Sequence, residues 1–105
     1  MAPRIVRSLQ VESDLIELFN YIAADASVDR AEGVLLRIEQ TLSTLSLFPG
    51  IGRARGDLDG SPRVFAIWPW LVIYEPMEDD SGIFVWRIVD GRRDLPRLSI
   101  RSPRR

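Results

Sequence analysis

Phe48-Pro49-Gly50-Ile51-Gly52-Arg53 divides the chain into two parts with different periodicities. Before it, apolar residues recur every three or four positions. After it, they run in short β-branched and aromatic stretches, so the segment marks the change from helix to sheet. Glycines and a proline directly after a helix supply the special backbone angles of a C-terminal stop and turn.

Working towards the N-terminus, Leu9 to Ala24 places Val11, Leu15, Leu18, Phe19 and Ile22 on one helical stripe, with Glu12, Asp14 and Glu17 off it. The acids of the first turns suit the positive end of the helix dipole. Ala23 to Ser27 reads as a short connection, and Asp29 with Glu32 three residues later has the form of a capping box. Ala31, Val34, Leu35, Ile38, Leu42 and Leu45 continue the period. Gly33 inside this helix costs about 1 kcal/mol against alanine, and close approach of another backbone is the usual reason to keep it. The two helices form an antiparallel hairpin. In front of them Arg4-Ile5-Val6-Arg7 alternates in polarity and reads as an opening strand, with Ser8 as the cap of the first helix.

Working towards the C-terminus, Val64 to Trp68, Trp70 to Glu75 and Ile83 to Val89 read as strands. Pro69 shapes a tight connection between two of them, and Asp79-Asp80-Ser81-Gly82 marks a hairpin turn. The expected fold is α+β, in the order β-α-α-β-β-β. An antiparallel sheet packs one face against the N-terminal helical hairpin in two layers. Residues 1–98 make one domain, and 99–105 a basic, flexible tail.

The 105 residues bury roughly 60 to 70% of the surface the unfolded chain exposes, which leaves little stability to spare. Without cysteine there is no disulfide, thiolate metal site or thiol nucleophile, consistent with a reducing compartment. No apolar run approaches a membrane span, and no phosphate-binding glycine loop or metal-spaced acid cluster is present. A cytoplasmic protein with no metal and no cofactor is expected. All 14 basic residues are arginine, and histidine is absent, so the side chains most often used as a general base near neutral pH are missing. A GC-rich genome also produces such a composition.

The order of these landmarks, the hairpin followed by Pro49, Gly52 and Arg53, then Arg63, then Tyr74, then Gly91-Arg92-Arg93-Asp94, resembles the ParE branch of the RelE/ParE toxins of bacterial toxin–antitoxin modules. The family often carries a histidine before that last glycine; Asp90 stands there in this chain. The resemblance implies a toxin that inhibits DNA gyrase without catalysing a reaction. It also implies a ParD-like antitoxin that holds the toxin in a hetero-oligomer and contacts DNA on its behalf. Two alternatives stay open: a RelE-like ribosome-dependent messenger-RNA endoribonuclease, and a non-toxic relative kept as a binding partner. Cleavage needs a proton acceptor, a proton donor and charge stabilisation. The chain offers Arg63 and Arg87 for charge and Tyr74 as donor, but only carboxylates as bases, and these repel RNA.

Arg63, Arg87, Arg92 and Arg93 are the candidates for target contact, because guanidinium forks suit phosphate and carboxylate. The competing reading pairs Arg87 and Arg93 with Glu75, Asp90 or Asp94. Leu15, Leu18, Phe19, Ile22 and Trp70 are the candidates for an apolar antitoxin groove. Pro49, Gly52, Arg53, Tyr74, Gly91 and Asp94 form the structural family motif, with Arg53 free to pair with a carboxylate in the sheet. Of Trp68, Trp70 and Trp86 at least two are expected in the core, and an exposed one suits a protein partner.

Overall fold

The computed structural model describes residues 3–93 and 100–103. Asp94, Leu98 and the outermost arginines of the tail lie outside the described residues. The elements follow as β1 (Arg4–Arg7), α1 (Leu9–Asp25), α2 (Val28–Leu47), a 3-10 turn (Pro49–Ile51), β2 (Arg53–Ala54), β3 (Arg63–Ile67), β4 (Trp70–Pro76) and β5 (Gly82–Asp90).

Both helices form where the period requires them, but their caps differ from the expectation. The connection shrinks to Ala26 and Ser27, so the Ser27 side chain, not Asp29, caps α2 by accepting from the Arg30 amide at 3.0 Å. Asp29 lies inside the first turn. Ser8 precedes α1 with an extended backbone, yet its hydroxyl donates to the Trp86 carbonyl at 2.6 Å and makes no cap bond. It fastens the start of α1 to β5. Gly33 meets no approaching backbone, because a Cβ there would face open space.

The sheet is mixed rather than antiparallel, with strand order β1-β5-β4-β3-β2. β3, β4 and β5 form the expected meander. Once β4 has paired with one edge of β5, the other edge is open, and β1 fills it in the parallel direction, Ile5 opposite Ile83 and Arg7 opposite Val85. The two-residue β2 pairs with β3 and extends the far edge. Register slips between Ile73 and Tyr74, whose partners are Arg87 and Val85, leaving Trp86 as the extra residue on β5. Alternation shifts there, so Val85 and Ile88, three residues apart, both join the core beneath the hairpin.

That core sets Val11, Leu18, Ile38, Leu42 and Leu45 against Val72, Tyr74, Ile83 and Val85. Two layers do not account for the whole molecule. On the opposite side Leu58, Ile73, Trp86, Val89 and Ile100 form a second, smaller cluster. Its cover comes from the loop before β3 and from Ile100, a residue of the tail that is only 4% exposed.

Candidate functional site

Asp14 was expected on the polar side of α1, but it is buried where α1 crosses the end of β5. Its two oxygens accept from Arg87 Nε and Nη2, each at 2.8 Å, and Oδ2 also accepts from the Ile88 amide at 3.0 Å. The shifted alternation explains this, since it brings the Arg87 side chain and the next backbone N–H to one carboxylate. Hydrogen bonding to Asp14, against a smaller opposing effect of desolvation, holds the Arg87 pKa above its ordinary value. Arg87 thus pairs with neither Glu75 nor Asp90.

Beyond Arg87 the chain turns. Asp90 accepts from the Arg92 amide at 2.9 Å, from Arg92 Nε at 3.0 Å and from Nη2 at 2.7 Å. These bonds lower the Asp90 pKa and raise that of Arg92, with the Tyr21 hydroxyl as the second cause for the arginine. Asp90 is therefore a carboxylate that orients a guanidinium. The Gly91 amide donates to the Pro69 carbonyl at 2.6 Å, and a Cβ at Gly91 would come within 2.8 Å of Leu71 Cγ, so the turn is seated tightly on the β3–β4 connection. Arg93 is exposed and lines a hollow beside Arg87, Glu17 and Tyr21.

Arg63 and Tyr74 are drawn to the other end of the sheet. Tyr74 is fully buried; its hydroxyl donates to the Pro49 carbonyl at 2.7 Å and accepts from the Gly52 amide at 2.9 Å. A Cβ at Gly52 would run into the tyrosine ring, 2.7 Å from Cε1. Arg63 Nη1 donates to the Gly52 carbonyl at 2.7 Å and the Gly50 carbonyl at 3.3 Å. Pro49, Gly52, Arg63 and Tyr74 therefore form one locked corner. Desolvation raises the Tyr74 pKa above the ordinary phenol value, outweighing the Gly52 bond and the charge of Arg63. Arg53 is exposed on β2 and makes no ion pair among the described residues.

Two tryptophans are core, Trp86 fully buried and Trp70 8% exposed, while Trp68 stands 69% exposed in the β3–β4 connection. The five residues expected to line an antitoxin groove are mostly spent inside. Leu18, Ile22 and Trp70 are buried, and Leu15 and Phe19 pack against them. The apolar stripe of α1 is mainly the seam that glues the hairpin to the sheet, although Leu18 and Trp70 reach the floor of the hollow beside Arg87, and Ile22 and Trp70 that of the hollow over α2. The open surface lies beside it, in a hollow of about 320 Å³ lined by Tyr21, Arg30, Val34, Arg37, Trp68 and Arg92 among others. Arg37 also lines an adjoining hollow with Thr41, Thr44, Leu45, Ile51 and Phe65. Tyr21, its ring edge-on to Trp70 with centroids 6.2 Å apart, separates the first hollow from the one beside Arg87.

Tyr21, Arg30 and Arg37 were absent from the sequence-derived site. For Tyr21 a signal existed, an aromatic next to the apolar stripe of α1. The two arginines follow each other at two helical turns on α2, a spacing that reads as a solvated face until the β3–β4 connection closes over it.

The family model described as the ParE toxin of the type II toxin–antitoxin system parDE matches residues 5–95. Toxin ParE3 of Caulobacter vibrioides is 37% identical over 92 residues, covering 88% of this chain and 90% of that protein. The solved structure of a chromosomal ParDE toxin–antitoxin system from P. aeruginosa superposes with a TM-score of 0.69 at 14% identity, covering 85% of this chain and 96% of the other, and so shares the fold. With the family match running from β1 to just past the Arg92–Arg93 turn, the chain belongs to the ParE toxins of type II toxin–antitoxin systems.

Proposed function

We propose that this ParE toxin arrests growth by binding and inhibiting DNA gyrase, without catalysing a reaction itself, and that a ParD-like antitoxin neutralises it. The observation that favours binding over cleavage is the locked corner. Tyr74 and Arg63, the proton donor and one of the cations that a RelE-like site would use, are committed to the backbone of Pro49–Gly52. A buried phenol with a raised pKa is poorly placed to reach RNA. The choice of gyrase is what the family resemblance implies, and the arginines of the Arg92–Arg93 turn are the surface proposed for it.

The paired hollows along α2 support a seat for the antitoxin. Arg30, Val34, Arg37, Thr41 and Thr44 recur at three- and four-residue spacing on one face of α2, with Phe65, Ile67 and Trp68 as the facing wall. Apolar footing beneath a rim of arginines fits an amphipathic helix that carries acidic residues. In this reading toxin and antitoxin form a cytoplasmic hetero-oligomer that meets DNA through the antitoxin. Among the described residues no helix is long and apolar enough to cross a membrane.

Purified protein is expected to inhibit gyrase supercoiling and to leave ribosome-bound messenger RNA uncut. Expression alone should stop growth, and coexpression with the protein of the adjacent reading frame should restore it. Cleavage at the ribosomal A site that disappears on Tyr74→Phe would assign the chain to the RelE side. Unimpaired growth at confirmed high expression would mark a non-toxic relative.

A further inference from the structure

Arg92 stands where two surfaces meet. It belongs to the turn assigned to the target, and it also lines the hollow that carries Arg30, Arg37 and Trp68. Its guanidinium has two edges suited to a bidentate anion. The Nε/Nη2 edge is occupied by both oxygens of Asp90, at 3.0 and 2.7 Å. That bond, together with the Arg92 amide donating to the same carboxylate, fixes the plane of the guanidinium. The side chain remains half exposed. What is left is the Nη1 side, with the Tyr21 hydroxyl close to the guanidinium, a single fork that accommodates one carboxylate or one phosphate at a time.

We propose that the antitoxin and the target both use this one fork of Arg92, so that neutralisation is direct competition for a single guanidinium rather than coverage of a separate face. The proposal rests on the reading of the α2 hollows as the antitoxin seat and of the Arg92–Arg93 turn as the target surface. It joins at one side chain the two sets of residues, one for the target and one for the antitoxin, that the sequence offers separately. Three features carry it. Arg92 shares a continuous hollow with Arg30 and Arg37, its second edge is closed by Asp90, and Tyr21 stands beside it as a wall. An acidic residue near the end of an antitoxin helix lying along α2 would meet Arg92 as its last cation. A target phosphate or carboxylate would need the same N–H groups.

The test measures two quantities on one variant. Arg92→Ala, checked for an unchanged thermal melt, is expected to lose growth arrest and to bind the protein of the adjacent reading frame about 10- to 100-fold more weakly by titration calorimetry, the loss expected for one charge-assisted contact. Arg92→Gln serves the same purpose if the alanine variant aggregates. In a pull-down, immobilised toxin should capture gyrase when free and release it as that antitoxin is added. Antitoxin affinity within about 3-fold of wild type in a non-toxic variant overturns the proposal, as do full toxicity of the variant or a stable ternary complex. If wild-type protein stops growth and binds antitoxin but leaves gyrase untouched, the choice of target fails instead. Growth arrest and antitoxin affinity then still decide the role of Arg92.

Discussion

A single carboxylate on α1 serves three donors from β5, and its removal shows what such a contact is worth. Asp14→Ala leaves the Arg87 guanidinium and the Ile88 amide without their acceptor in a partly buried site, for which about 3 kcal/mol is expected, at the lower end of the range for breaking a buried pair because Arg87 keeps some solvent. Urea unfolding measures it. Tyr74 offers a second test with a definite sign. Its folded pKa lies above its unfolded value near 10, so the folded state holds the proton longer. The stabilisation is fully present below about pH 10 and is lost as pH rises through the folded pKa. The wild-type melting temperature should therefore fall above pH 10, and in Tyr74→Phe this alkaline loss should shrink. At neutral pH that variant should be about 1 to 3 kcal/mol less stable, because the Gly52 amide loses its buried partner. Neither contact was readable residue by residue. Asp14 occupies a polar position of its helix, and only the arrival of β5 buries it.

At the scale of elements the period of the apolar residues was a sufficient guide, and both helices and the three long strands stand within a residue or two of their expected limits. Directions and pairings were less visible. The parallel pairing of β1 depends on which edge of β5 remains free, a property of the assembled sheet and not of the four residues involved. β2 is two residues long and has no periodicity to detect. The extra residue at Trp86 shifts the alternation of β5, which is why Arg87 could not be assigned a face in advance. Gly33 gives a prediction at this scale. With open space around the position and a helical backbone, Gly33→Ala should stabilise the protein by about 0.8 to 1 kcal/mol through helix propensity alone. Chemical denaturation midpoints would register the gain.

For the whole molecule the decisive feature is that both sides of the sheet are apolar in its central strands. Val72, Ile73 and Tyr74 are consecutive and all fully buried, which a sheet covered on one side alone would not permit. Ile100 reaches across to complete the second cluster over Trp86, so this residue takes part in the fold. Ile100→Ala should cost about 2 kcal/mol or more and shift tryptophan emission to longer wavelength as the cover over Trp86 loosens. The pairing of β1 with β5 has a further consequence, in the time order of synthesis. β1 is made well before its partner and must wait for β5, about 78 residues later in the chain. Local helices can form early, but closing the sheet requires this long-range contact. A nascent chain that has not yet reached β5 therefore lacks both the closed sheet and the turn that carries Arg92.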